Sequence, residues 1–305
     1  MIQSIIDFFY RYPRSVIKRY KRFGGYSNYY SIMRQSRRMA KASLSLPPIY
    51  SCTDGLPIYF LTGKKYLYQT LFCIQSLVKT GVNNLNIILV DDGTFDFDII
   101  NRINRQLPGC TVITREIIDN NLDKIIPLKL YPVLHYKRKI YPHIKKLTDI
   151  HTIPGNPWKI VLDSDMLFWN KPQAIIDWLE KPEEPIYMLD CQNSYGYTKG
   201  LMEALSDATI PDLINVGVVG VNSKIINWDK LESWITVLEE KEGTSYYLEQ
   251  ALTAMLIGEV KSTILPADEY IVNPSTKAIE GQEGKLHHYV DLSKEGYFKQ
   301  AWKKI

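Results

Sequence analysis

The sequence predicts an α/β fold in which a mostly parallel central sheet is flanked by helices. Two apolar stretches of strand length, residues 57–61 and 85–90, are each followed by a stretch in which apolar residues recur at helical spacing. A third short β-rich stretch covers residues 111–114. This alternation is typical of parallel sheets, because neighbouring parallel strands are joined by a crossover that is usually a helix. With 305 residues and 45% hydrophobic content, the chain can bury a sizeable core.

The first 50 residues differ in composition from the rest of the chain. Residues 1–45 contain a single acidic residue, Asp7, and carry a formal charge of +9, whereas the remaining residues carry −5. Aromatic residues are interleaved with the bases, and Pro47-Pro48 lies in a linker. We therefore predict a basic, aromatic-rich arm and linker over residues 1–50 and a folded domain over residues 51–305. The bases of the arm are Arg11, Arg14, Lys18, Arg19, Lys21, Arg22, Arg34, Arg37, Arg38 and Lys41.

The composition of the arm is typical of a segment that binds a membrane surface. Aromatic rings lie among lipid headgroups while bases meet anionic lipid, and each base near such a surface contributes about 1 kcal/mol. The alternative is that the arm is solvated or disordered. Nucleic acid is not an expected partner, because the rest of the sequence has no recognisable nucleic-acid-binding module.

Cysteine usage and hydropathy indicate a cytoplasmic location. The four cysteines show neither C-x-x-C spacing nor the density of a disulfide scaffold, so we expect free thiols in a reducing compartment. No apolar run is long enough to cross a bilayer, and the N-terminus lacks the apolar core of a signal peptide. We expect a cytoplasmic protein that is peripheral at the cytoplasmic face of a membrane where the arm binds lipid.

The most informative stretch is residues 158–169, in which Asp163 and Asp165 interrupt an apolar run typical of a strand buried on both faces. In an extended chain these two carboxylates lie on one face, and Ser164 points away. Like charges so close together keep one carboxyl protonated unless a cation lies beside them, and Mg²⁺ or Mn²⁺ suits oxygen ligands. The alternative is a helix cap or a salt-bridged strand end.

Polar residues also follow the first two predicted strands, as Thr62-Gly63 and Asp91-Asp92. Ligands of parallel sheets bind outside the carboxyl ends of the strands, so these residues should share one edge with the two later aspartates. Asp92 precedes a glycine and is equally compatible with a turn. The sequence has neither G-x-G-x-x-G after the first strand nor G-x-x-x-x-G-K-[ST], which disfavours standard dinucleotide and P-loop sites.

The stretch from Ile160 to Leu167 resembles the D-x-D strand of nucleotide-sugar glycosyltransferases with the GT-A fold, most closely the family 8 type. The resemblance implies that Asp163 and Asp165 bind a divalent metal, Mn²⁺ or Mg²⁺, which bridges the diphosphate of the donor. It places Ser164 beside the donor.

The same resemblance implies further contacts to the donor. Thr62 and Gly63 are expected to cradle the nucleoside, and Asp91 or Asp92 to lie near the base or ribose. Family 8 enzymes also carry a cationic residue on the helix before the D-x-D strand. Our candidate is Lys139, with Arg138 and Lys146 as alternatives.

Two segments in the second half of the chain extend the resemblance. The run Asn215-Val216-Gly217 is similar to the family's N-x-G segment, where a missing side chain allows the backbone to approach the ligand closely, although glycine in a strand can also mark a bulge. Glu249-Gln250 stands where the family has an acidic residue followed by Gln. The resemblance implies that Glu249, Gln250 and Asp190 arrange the sugar and the acceptor, whereas a first-turn Glu can also simply favour the helix dipole.

Near the C-terminus, His288 and Lys294 have the spacing of the family's H-x-x-G-x-x-K segment. The resemblance implies that His288 is the third metal ligand and that Lys294 supplies positive charge to the diphosphate. Asp291 stands where the family has Gly, and Glu295-Gly296 replaces Pro-Trp. His287 is the alternative ligand.

The order of these short motifs, over roughly residues 56–296, predicts a metal-dependent glycosyltransferase of the hexosyltransferase type. Family resemblance implies a nucleotide-sugar donor, commonly linked to uridine diphosphate (UDP), and a glycan or lipid-linked acceptor. A sugar nucleotidyltransferase is the alternative enzyme, but the sequence lacks the long Gly- and Arg-bearing phosphate loop of that class. A catalytically inactive membrane-surface binding protein on the same scaffold is the other alternative.

Overall fold

The computed structural model describes residues 17–18, 20–258 and 260–305 as a mixed α/β structure. The strands are β1 Leu56–Thr62, β2 Leu85–Asp91, β3 Thr111–Ile113, β4 Trp158–Leu162, β5 Met166–Phe168, β6 Ile186–Leu189, β7 Ile214–Asn222, β8 Thr263–Leu265, β9 Tyr270–Val272 and β10 Leu286–His288. The α-helices considered below are α1 Tyr26–Ala42, α2 Leu67–Lys79, α3 Phe97–Gln106, α4 Arg115–Ile125, α5 Pro132–Ile140, α6 Lys145–His151, α7 Gln173–Glu180, α8 Lys199–Ser206, α9 Trp228–Glu242, α10 Leu248–Ile257, α11 Thr276–Gly281 and α12 Lys294–Lys299.

The central sheet has seven strands in the order β3-β2-β1-β4-β7-β6-β8. Parallel pairs join β1 to β2 and β4, β2 to β3, and β6 to β8. Strand β7 runs antiparallel to both of its neighbours. The predicted mostly parallel sheet flanked by helices is therefore confirmed, and the carboxyl ends of β1, β2 and β4 lie at the same edge.

Alternate residues of the central strands enter two apolar cores, one on each face of the sheet. Tyr59 and Val161 belong to the core that contains residues of α4, α6, α9 and α10. Phe60 and Ile160 belong to the core that contains residues of α2, α3 and α7. Because β1 and β4 are covered on both faces, their apolar runs are continuous, as the sequence indicates.

A small second sheet, in the order β5-β10-β9, lies next to the carboxyl end of β4. β10 runs antiparallel to β5, with His288 opposite Met166. This pairing returns the C-terminal part of the chain to the turn that contains the two aspartates.

Helix α1 lies within the predicted N-terminal arm but packs against the C-terminal end of the chain. Its buried residues Ile32 and Met39 share an apolar cluster with Tyr297 and Phe298 of α12. Residues 1–16 and 19 of the predicted arm lie outside the described residues. Within the described part of the chain, no helix is both long and apolar enough to span a membrane.

Candidate active site

Asp163 and Asp165 lie in the turn between β4 and β5, where the chain passes from the central sheet to the small sheet. The turn is held on two sides. The Asp163 N–H donates to the Gly217 carbonyl at 2.8 Å, and the Ser164 hydroxyl lies 2.8 Å from the Thr70 hydroxyl in α2. The carboxylates of Asp163 and Asp165 instead approach His288. The two aspartates therefore point to one side and Ser164 to the other, as the two-residue period of an extended chain predicts.

His288 ends β10 and completes a cluster with the two aspartates. Its Nε2 lies 3.6 Å from Asp163 Oδ2 and 3.4 Å from Asp165 Oδ1. One potential ligand atom from each residue lies within 4.8 Å of the others. Two carboxylate oxygens and one imidazole nitrogen suit a divalent cation such as Mn²⁺ or Mg²⁺, so the group can hold a metal ion.

Asn215 fixes the orientation of the His288 ring. Its Oδ1 accepts the Gly217 N–H at 2.9 Å and lies 3.0 Å from His288 Nδ1. Since an amide oxygen only accepts, Nδ1 donates to Asn215, which leaves Nε2, the nitrogen that faces the carboxylates, as the one available to a metal ion. This arrangement is the one a metal-binding histidine requires.

Gly217 makes room for the His288 ring. A Cβ added there would lie 2.4 Å from ring atoms of His288. The glycine therefore allows close packing against the imidazole, and the predicted approach of the donor to it remains a prediction.

The neighbouring His287 faces away from the cluster. Its Nε2 lies 2.7 Å from the Glu283 carbonyl, and its Nδ1 lies 3.2 Å from the Tyr289 hydroxyl. Burial lowers the pKa of His287 to about 4. With both nitrogens bonded within the fold, His287 is a structural residue, and the cluster contains His288.

Two lysines stand beside the aspartates. Lys294, at the start of α12, places Nζ 2.8 Å from Asp165 Oδ2. Lys146, buried in α6, places Nζ 2.6 Å from Asp163 Oδ1 and 3.6 Å from Glu249 Oε2. Attraction to Asp165 raises the pKa of Lys294 above its usual range. Burial alone would lower the pKa of Lys146, but attraction to the Asp163 and Glu249 carboxylates outweighs burial and raises it. Both lysines are therefore charged at neutral pH.

The pKa values of Asp165 and Glu249 are shifted in opposite directions. Burial would raise the pKa of Asp165, but Lys294 and His288 together hold it well below its usual range. Glu249 is only 3% exposed, and burial raises its pKa to about 7 despite the nearby Lys146. Its Oε1 has no hydrogen-bond partner among the described residues. A buried and unpartnered carboxyl oxygen is costly, so Glu249 is a strong candidate for a contact with substrate.

Asp190 and Gln250 join the cluster through Asn215. Asp190 Oδ2 accepts from Asn215 Nδ2 at 3.1 Å and from Gln250 Nε2 at 3.3 Å. The three residues lie just after β6, in β7 and in α10, and form one network behind His288. All the residues implied by the later motifs therefore lie together.

The residues expected on the nucleoside side are largely engaged within the fold. The Thr62 hydroxyl lies 2.8 Å from the Thr70 hydroxyl, which links it to Ser164. Asp91 Oδ1 accepts three backbone N–H groups, from residues 93 to 95, at 2.8 to 3.0 Å. A Cβ at Gly63 would lie 2.1 Å from the carboxylate oxygens of Asp92. Asp92 is half-buried at the same edge, and a donor contact for these residues remains a prediction.

Of the three bases predicted before the D-x-D strand, the structure brings Lys146 rather than Lys139 to Asp163, and a donor contact for any of them remains a prediction. Lys139 is exposed on α5, one helix too early, and Arg138 pairs with Asp149 at 2.6 Å. Lys146 stands in a helix whose residues 146–151 are all buried. Only Leu147 and Ile150 are apolar in this helix, so the sequence offers no signal that Lys146 is buried beside Asp163.

Three aromatic residues beside the site, Tyr141, His143 and Tyr246, belong to none of the sequence motifs described above. The Tyr141 hydroxyl donates to the Tyr246 carbonyl at 2.6 Å and lies 3.2 Å from the Glu249 N–H, which donates to it. The rings of Tyr246 and His143 are 5.2 Å apart, and Tyr246 is 68% exposed. Aromatic residues at this spacing are common in cores, so the sequence offered no signal for this group.

Solved structures with a similar fold are glycosyltransferases. One is the galactosyltransferase LgtC in complex with donor and acceptor sugar analogues, with a TM-score of 0.50, 13% identity, and coverage of 82% of this chain and 96% of LgtC. Another is mouse xyloside xylosyltransferase 1, with a TM-score of 0.51, 15% identity, and coverage of 79% and 97%. The bifunctional glycosyltransferase WbbM also matches, with a TM-score of 0.49 and 10% identity, and the chain spans 51% of its length. No protein-family model and no curated protein matches the sequence.

The likeness to LgtC and to the xylosyltransferase defines the fold of this chain as the GT-A fold. The fold that the D-x-D stretch predicted is confirmed.

Proposed function

We propose that the protein is a metal-dependent glycosyltransferase that moves a sugar from a nucleotide-diphosphate donor, most simply a UDP-sugar, to a glycan or lipid-linked acceptor. The observation that carries the proposal is the cluster of Asp163, Asp165 and His288, placed by strands of a GT-A fold at the carboxyl edge of the sheet. Support also comes from the activities named for the structures that share the fold.

In this proposal the three residues of the cluster hold Mn²⁺ or Mg²⁺. When bound, the cation supplies positive charge that stabilises the negative charge developing on the departing diphosphate. Lys294 and Lys146 add fixed positive charge on two sides of the same position, in a site that is partly shielded from water. The aspartates hold both lysines in place before a donor binds.

Glu249, Gln250 and Asp190 are the proposed contacts for the sugar and the acceptor. The Glu249 carboxyl is half protonated near pH 7, so it can accept or donate a hydrogen bond to a hydroxyl group at neutral pH. Gln250 and Asp190 orient each other across 3.3 Å.

We place the enzyme in the cytoplasm, as a hexosyltransferase of glycan or polysaccharide synthesis.

Thermal unfolding in the presence of nucleotide-sugars tests this function. A donor that binds only the folded protein raises the unfolding midpoint by mass action. We expect a UDP-sugar to raise it with Mn²⁺ and not with a chelator, and the same mixture to release UDP slowly by hydrolysis. If no nucleotide-sugar stabilises the protein with either metal, the proposed activity is contradicted.

A further inference from the structure

Helix α1 has an outer face that is basic and aromatic. The helix contains no acidic residue, and its exposed residues recur at spacings of three and four, which places them on one side. The buried residues Ile32 and Met39 lie on the opposite side. The outer face consists of Tyr26, Tyr30, Met33, Arg34, Arg37, Arg38 and Lys41.

The outer face is a fixed surface, because the inner side of α1 is anchored to the body. The Ser36 hydroxyl lies 2.9 Å from the Tyr68 hydroxyl, and Asn28 accepts a hydrogen bond from Lys299 of α12. Ile32 and Met39 are 3% and 0% exposed. The bases are therefore presented together along a helix of 17 residues, about 25 Å long.

The positive charge of this face is not neutralised within the described part of the chain. Arg34, Arg37, Arg38 and Lys41 form no ion pair with any residue in 17–18, 20–258 or 260–305. Arg22, by contrast, pairs with Asp291. Four bases on one side of one helix repel each other, a cost that an anionic partner would remove.

We infer that the outer face of α1 docks onto an anionic phospholipid surface. Tyr26, Tyr30 and Met33 are 64%, 55% and 38% exposed, and rings and a thioether of this kind lie favourably among lipid headgroups. The bases on the same side meet the lipid phosphates. A single convex helix suits a flat surface, whereas a nucleic-acid strand is held in a groove that follows its backbone.

This inference is independent of the proposed function. The metal cluster lies in the turn between β4 and β5 and at the end of β10, and none of the outer-face residues is hydrogen-bonded or paired to it within the described chain. Lipid docking and catalysis can therefore be tested separately.

Co-sedimentation of the full chain with vesicles tests the docking surface. The vesicles are phosphatidylcholine alone or phosphatidylcholine mixed with phosphatidylglycerol. Each base contributes about a fivefold change in partition coefficient, so neutralising all four, as Arg34→Gln, Arg37→Gln, Arg38→Gln and Lys41→Gln together, should weaken binding to the mixed vesicles at least about a hundredfold. Raising the salt concentration to about 0.5 M should likewise release the unmodified chain.

A matched variant removes four exposed lysines elsewhere, as Lys124→Gln, Lys129→Gln, Lys139→Gln and Lys241→Gln together. This control should keep most of its vesicle binding, and circular dichroism should show that both variants remain folded at the temperature of the assay. A double variant, Tyr26→Ser with Tyr30→Ser, should weaken binding less than the loss of the four bases. Equal loss in the two quadruple variants, salt-independent binding to phosphatidylcholine alone, or tighter binding to single-stranded nucleic acid than to the mixed vesicles would each overturn the inference.

Discussion

Two sets of aspartates follow parallel strands at the same edge of the sheet, yet their environments differ. Asp91 is the last residue of β2, and its Oδ1 accepts hydrogen bonds from three backbone N–H groups of the loop that follows, which stabilises that loop. Asp163 and Asp165, after β4, face a histidine nitrogen and two lysines. A carboxylate bonded to its own backbone stabilises the fold, whereas carboxylates that converge on one point form a site for a cation.

The largest difference between the two sets should appear in turnover. Asp163→Asn or Asp165→Asn removes a charged ligand and should lower metal-dependent donor hydrolysis and transfer at least about a hundredfold. Both rates can be followed by UDP release, with circular dichroism to confirm that the variants are folded.

Asp91→Ala is the matched variant for that comparison. It leaves three backbone N–H groups without their acceptor and should lower the free energy of unfolding by about 2 kcal/mol or more. Turnover of the folded fraction should survive. A folded Asp91→Ala protein as inactive as Asp163→Asn would show that the two sets are not distinct.

The adjacent histidines give a second comparison. His288→Ala should raise the Mn²⁺ concentration needed for half-maximal activity by about ten- to a hundredfold, since a ligand nitrogen is lost. His287→Ala should destabilise the fold, because two internal hydrogen bonds are lost, and leave the Mn²⁺ requirement unchanged. Metal titrations of activity separate these results. A shift in the His287 variant alone would move the ligand by one position.

Two lysines of α12, Lys294 and Lys299, allow the effect of positive charge at the site to be compared with that of positive charge elsewhere on the same helix. Lys294→Ala should lower kcat about tenfold with a smaller effect on the donor KM, because positive charge there matters most as the diphosphate leaves. Lys299→Ala, on the same helix, removes a base that pairs with Glu295 and should leave both constants close to their original values. Steady-state kinetics with varied donor would contradict this role if KM changed and kcat did not.

The smallest expected effect concerns stability and pH. The pKa of Glu249 is raised in the folded protein from 4.5 to about 7, so its contribution to stability is full below about pH 4.5 and is lost as the pH rises through 7. Glu249→Gln should remove this loss, so that the variant gains stability relative to the unmodified protein between pH 5 and 8, by a few kcal/mol at most. Urea unfolding at several pH values measures it. The exposed Glu116→Gln is the control, and parallel pH profiles for all three proteins would contradict the raised pKa.

The sequence predicts the parts of the fold and site that depend on local pattern. Continuous apolar runs identify β1, β2 and β4, and the alternation of side chains along a strand places Asp163 and Asp165 together. The partners of His287, His288 and Lys139 depend on which distant segments pack against them, and no local pattern encodes this. Lys139 and Lys146 both precede β4 on helices, and only the packing of α6 against the sheet brings Lys146 to Asp163.

The same limit applies to α1. Its charge is evident in the sequence, but its apolar inner side has only two fully buried residues, Ile32 and Met39, too few to predict packing against α12. The residues after Pro47-Pro48 resemble the start of a domain, whereas α1, before them, is already packed on the body.

Direct binding of Mn²⁺ tests the central claim, that Asp163, Asp165 and His288 form a metal site. Electron paramagnetic resonance of free Mn²⁺, recorded while the ion is titrated into the folded protein with and without UDP, reports the bound fraction without any assay of activity. We expect saturable binding of a single ion per chain, tighter with UDP, that is lost in folded Asp165→Asn. Equal Mn²⁺ affinity in the unmodified protein and in Asp165→Asn would contradict the account.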